Sequence, residues 1–115
     1  MIDPAHPFAS WYLWLAATTF GVVFALPLLV APLRWARFFR WQVPADNELA
    51  LYFGHCLGAA AIGIVAAMLR AAPHPAAHPT ILIVLMVAGA LLTLIHVVGA
   101  FRRKWPWTET AEIPF

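Results

Sequence analysis

The chain has 115 residues, 63% of them hydrophobic and only 10% charged, with a formal net charge of +2 and a mean hydropathy of +0.81. A water-soluble helical bundle needs a polar outer face on each helix, and this composition does not supply one. The pI near 9.2 would admit a nucleic-acid partner, but the basic residues border apolar runs and alternate with aromatics, which favours anionic lipid headgroups and excludes nucleic acid as a partner.

No charged residue lies between Pro4 and Leu33, between Leu49 and Leu69, or between Ala71 and Phe101. Each stretch meets the roughly 20 apolar residues needed to cross a ~30 Å hydrocarbon core. The expectation is an all-α membrane protein forming a single membrane domain over 1–115. Its transmembrane helices fall over about residues 9–32, 48–70 and 79–102, with a short cytoplasmic interfacial helix over about 33–42.

The first eight residues, MIDPAHPF, lack a basic n-region, and the apolar run after them is too long for a signal peptide, so the first span is expected to stay. Trp11 and Trp14 sit near its start, in the zone where indole is half buried and its N–H wet. With Thr18, Gly21 and Ala25 they mark one face as a contact surface. Pro27, followed closely by Pro32, predicts a kink or early unwinding at the far end.

Next comes RWARFFRWQ, where Arg34, Arg37 and Arg40 alternate with Trp35, Phe38, Phe39 and Trp41. This pattern fits a helix lying among headgroups. In the following PADNEL, Asp46 or Asn47 is the expected N-cap of the second span, and Glu48 falls in its first turn, where the helix dipole favours an acid. Gly54 and Gly58 form a GxxxG pair suited to close helix packing. The connection RAAPHPAAHPT is short and proline-rich, and so predicts an antiparallel hairpin between spans two and three. On span three, Gly89 and Ala100 are the small residues expected at a helix contact.

Arg34, Arg37, Arg40, Arg102, Arg103 and Lys104 share one side of the three spans and Arg70 alone lies on the other. The positive-inside rule then places the N-terminus outside and the C-terminus in the cytoplasm, and a bacterial-type inner membrane is the expected location. The tail after Lys104 carries Trp105, Trp107, Glu109 and Glu112, and is expected either to fold back toward Arg34, Arg37 or Arg40, to dock on another protein, or to fray.

Histidine inside an apolar span demands an explanation, because ionisable groups there are costly. Helical spacing puts Glu48, Tyr52, His55, Ala59 and Ala66 on one stripe of span two, and Gly89, Thr93, His96 and Ala100 on one stripe of span three. His55 lies roughly 10 Å beyond Glu48, and His96 roughly 9 Å before Arg102, so a hairpin would bring them to one level.

Three readings follow. Each histidine hydrogen-bonds across helices, to the Thr93 hydroxyl, the Tyr52 phenol or a kinked backbone carbonyl near Pro27, and contributes packing. Or His55, His96, Glu48, Tyr52 and Thr93 form a polar pocket for a lipid-soluble substrate, with a histidine as acid or base, Glu48 orienting it and Tyr52 donating. Or His55 and His96 ligate a b-type haem between facing helices.

His74 and His78 in the outer connection lack the Cys, Met or carboxylate that would complete a ligand set, and no metal site is assigned. The lone Cys56 can form no internal disulfide. No motif in the chain names a family. Three helices bury little surface in lipid, so an accessory or assembly subunit of a larger membrane complex, such as an energy-transducing one, or a homo-oligomer is the expected function. A compact membrane enzyme is the alternative.

Overall fold

The computed structural model describes residues 1–102. Arg103, Lys104 and the tail with Glu109 and Glu112 lie outside the described residues. Every regular element among the described residues is helical, and three stretches, Pro7–Val30, Glu48–Ala71 and Pro79–Arg102, are long and apolar enough to cross a membrane.

The first stretch is built from α1 (Pro7–Phe20), a π-helical turn (Gly21–Ala25) and α2 (Leu26–Val30). Pro7 opens α1 at a position where its missing N–H costs nothing. The π turn arises just before Pro27: Leu26 N–H donates to Gly21 O, one residue farther back than in an α-helix. The helix breaks at Ala31 (φ −148°, ψ 63°), because the ring of Pro32 disfavours a helical conformation in the residue before it. Thus the disturbance expected from the two prolines takes two forms, a widened turn before Pro27 and a break before Pro32.

Pro32 then opens α3 (Pro32–Phe38). Arg40 adopts φ 64°, and around it Arg40 N–H donates to Arg37 O (3.0 Å) and Trp41 N–H to Ala36 O (2.9 Å). This is a Schellman closure in which arginine occupies the position glycine usually takes. A ladder of rings fixes α3 on the first stretch: Phe20 stacks on Phe24 (4.9 Å), Phe24 meets the edge of Trp35 (5.2 Å), and Trp35 meets Phe39 (4.8 Å).

Asn47 precedes α4 (Glu48–Ala71) as its N-cap residue without a side-chain cap bond, while Glu48 and Arg70 occupy the turns where the dipole favours each charge. A 3₁₀ turn, Pro75–Ala77, leads into α5 (Pro79–Arg102).

The first stretch and α4 form the packed heart of the molecule. On one side Ser10, Leu13, Ala17, Gly21, Ala25, Leu28 and Pro32 are buried, recurring every three or four residues; on the other lie Gly58, Ala61 and Met68. Gly54 and Gly58 let the two backbones approach: a Cβ on Gly54 would overlap the Pro32 ring, and one on Gly58 the Leu28–Leu29 peptide. At the opposite end Ser10 Oγ donates to Ala72 O (2.5 Å) and accepts from Asp3 N–H (3.2 Å). α5 joins this core through Ile81, Leu82 and Leu85, which pack on the cluster of Leu13, Ala17, Met68, Ala71 and Ala72.

Candidate functional site

Polar chemistry within the spans concentrates where the first stretch breaks. The break at Ala31 separates the Leu29 carbonyl from Leu33, the residue that would supply its helical N–H. The half-buried His55 of α4 takes that place, with Nδ1 2.6 Å from Leu29 O. A carbonyl only accepts, so Nδ1 carries the proton and, in the neutral ring, Nε2 is a lone pair.

Pro27 has a second consequence. It cannot donate to the carbonyl four residues earlier, Val23 O, and that oxygen accepts instead from Trp35 Nε1 at 2.9 Å. Both side-chain bonds thus repair backbone groups disturbed by proline, as lipid-embedded helices require.

His96 is held differently. Its Nδ1 lies 2.7 Å from Leu92 O, four residues back on its own helix. The two Nδ1 bonds therefore anchor the rings to different elements, His55 to the first stretch and His96 to α5.

Of the remaining residues singled out from sequence, Glu48, Tyr52 and Thr93 are exposed. The face of α4 that packs is the one bearing Gly54, Gly58, Ala61 and Met68; on the Glu48–Tyr52–His55–Ala59–Ala66 stripe only His55 is even partly covered. Gly89 is exposed, a Cβ on it would meet nothing within 4 Å, and Ala100 is half-buried. The surface expected around Trp11, Trp14, Thr18, Gly21 and Ala25 divides. Gly21 and Ala25 are buried, whereas Trp11 and Thr18 are exposed, and Thr18 Oγ1 donates back to Trp14 O (2.8 Å).

Outside the spans, Asp3 accepts from Ala5 N–H (2.9 Å) and lies 3.5 Å from His6 Nδ1. The Ala5 N–H, with partial burial opposing it and His6 assisting, holds the Asp3 carboxyl below its ordinary pKa. His74 and His78 flank the 3₁₀ turn. Among the described residues no three His, Cys, Asp or Glu side chains converge as a metal site would require.

An apolar groove of about 250 Å³ opens at the end of the molecule that carries the arginines of α3. Leu28, Leu33, Trp35, Trp41, Val43 and Ala50 contribute to its walls. Sequence reasoning offered a kinked carbonyl near Pro27 as one of three histidine partners, which the His55–Leu29 bond matches, but missed three features: the bond of Trp35 to the Val23 carbonyl, the Ser10 bridge and this groove. Only Ser10 carried a readable signal, a lone hydroxyl on the same helical face as Leu13 and Ala17.

Comparison with protein-family models, curated proteins and solved structures gives no match to this chain.

Proposed function

We propose that the chain is a small multi-pass protein of a bacterial-type inner membrane that works in association. It serves as an accessory or assembly subunit of a larger membrane complex or as copies of itself, with its N-terminus outside and its C-terminus in the cytoplasm. One observation carries this reading. An 18-residue window of α5 has none of its residues buried, against 28% for the corresponding window of the first stretch and 11% for that of α4. Span three nevertheless carries Gly89 and Thr93 on its exposed surface. In lipid, small residues and hydroxyls are the groups that drive helix association, whereas a helix meant only for acyl chains has no use for them.

The enzyme reading is less well supported, since Glu48, Tyr52 and Thr93 are exposed and His55 is already engaged with Leu29. The asymmetry of Arg34, Arg37, Arg40 and Arg102 against Arg70 supports the stated orientation.

Native mass spectrometry of protein extracted in mild detergent tests the proposal. The expected result is a defined multimer, or a stable complex with other membrane chains, that dissociates when Gly89 and Thr93 are both replaced by Leu. A wild-type monomer, seen also after cross-linking in intact membranes, would overturn it.

A further inference from the structure

His55 has one nitrogen left over. Its Nδ1–H is engaged by Leu29 O, which leaves Nε2 of the neutral ring as an acceptor. Nε2 bonds to no described residue, and among the described residues no buried side-chain nitrogen or oxygen lacks a partner, so this atom opens on the surface of the bundle. It does so about 10 Å along α4 from Glu48, at a depth where hydrocarbon offers no donor. α5 carries the converse group. Thr18 returns its hydroxyl proton to Trp14 O on its own helix, whereas the hydroxyl of the exposed Thr93 has no partner among the described residues. An acceptor and a donor are thus both left open within the spans, and within one chain they do not bond.

Their positions match. α4 and α5 are each 24 residues long, and as consecutive spans they run in opposite directions, so copies inserted the same way present α4 and α5 to each other antiparallel. With the ends of the two helices level, His55 falls opposite Ile95, two residues or about 3 Å from Thr93. Ala59 and Gly89 each stand four residues farther from that end, on the faces of His55 and Thr93 respectively. A register that joins the histidine to the threonine therefore also sets alanine against glycine. Between Ala59 and Ala67 every exposed residue of α4 is small: Ala59, Ala60, Gly63, Ala66 and Ala67. Small residues on both sides let two helix backbones come close enough for a side-chain hydrogen bond between them. We propose that the face of α4 bearing His55 and Ala59 receives α5 of a second copy of this chain, whose Thr93 hydroxyl donates to His55 Nε2. This names the partner in the association proposed above and rests on that reading.

Disulfide mapping in intact membranes tests the face. Two forms distinguishable by size, both carrying Cys56→Ser, are made together, one with Ala59→Cys and the other with Gly89→Cys. Mild oxidation is expected to link them, and to give no link when Ala67→Cys, about 12 Å farther along α4, takes the place of Ala59→Cys. Thr93→Val keeps the shape of the side chain and removes its donor. It should weaken self-association in native mass spectrometry by about threefold to tenfold, and Thr93→Ser should retain the wild-type strength. A wild-type multimer that gives no link between positions 59 and 89, or that Thr93→Val leaves as tight as before, overturns this face while association itself stands; a wild-type monomer overturns both. A haem-sized or quinone-sized mass retained by wild type and lost in His55→Leu would give Nε2 another occupant and equally overturn the proposal.

Discussion

The first stretch and α4 meet through glycines, a side-chain bond to a proline-disturbed carbonyl, and a hydroxyl bridge; α5 packs on the same core through Ile81, Leu82 and Leu85, and most of its other residues are exposed. The third span is the most apolar, with a mean hydropathy of 2.8 against 2.1 and 1.8, and yet the least buried, so hydrophobicity does not explain the difference. In lipid, burying one more leucine brings no gain over leaving it among acyl chains, and what holds helices together is close packing and satisfied polar groups. The first pair has both of these. The third span buries Gly99 but keeps Gly89, near its middle, facing open space.

The largest expected effect comes from attacking the close approach itself. Gly58→Leu would drive a side chain into the Leu28–Leu29 backbone, which cannot retreat as a flexible side chain would. A loss on the order of 3 kcal/mol or more is expected in reversible unfolding in mixed micelles. Gly89→Leu alone should leave that unfolding curve within about 0.5 kcal/mol of wild type. Equal effects at the two glycines would erase the contrast between the spans.

His55→Leu sharpens the comparison at the level of polar satisfaction. It leaves the Leu29 carbonyl without its donor at a helix break, a cost of about 1–2 kcal/mol. Gln at the same position keeps an N–H donor and should recover part of that loss. A neutral His55→Leu variant would mean that Leu29 finds another partner, and the histidine would then have to be explained by its free Nε2. Absorption spectra after haem-replete expression read that alternative directly, because a Soret band lost in His55→Leu would mark Nε2 as an iron ligand.

These positions also show what sequence could and could not reveal. The three spans were legible because charge-free runs of sufficient length have almost no other meaning. The GxxxG pair was legible as a packing motif, since small residues four apart have a direct geometric consequence. The partner of His55 was legible only as one of three candidates, a kinked carbonyl near Pro27, and not as a particular residue. Periodicity collected His55 with Glu48 and Tyr52, but the packing face of α4 is set by its glycines and lies to one side of that stripe, leaving His55 at its edge. The acceptor is a backbone carbonyl, and a carbonyl exists at every residue; only the break at Ala31 singles out Leu29. For the same reason Trp35 read as an interfacial anchor, when its indole N–H serves the oxygen that Pro27 leaves behind. Trp35→Phe keeps most of the ring contacts and removes that donor, so about 1 kcal/mol of destabilisation is expected, smaller than at His55.

The smallest effect lies outside the membrane, and it tests whether the N-terminal segment belongs to the packed pair. Asp3 offers its backbone N–H to the Ser10 hydroxyl that bridges to Ala72, while its carboxylate holds the Ala5 N–H. Because the folded state lowers the Asp3 pKa below its ordinary value of 3.8, the unfolded chain binds the proton more tightly. The carboxylate's contribution is therefore full above that value and disappears as pH falls through the lower folded one. Tryptophan fluorescence of unfolding from pH 6 down to pH 2 should show a small acid-dependent loss in wild type that is absent in Asp3→Asn. Trp14 reports on the same region through its Nε1 bond to Met1 O. Identical acid profiles for the two proteins would mean that this segment adds nothing to the joint between α1 and α4, whose outer end would then depend on Ser10 alone.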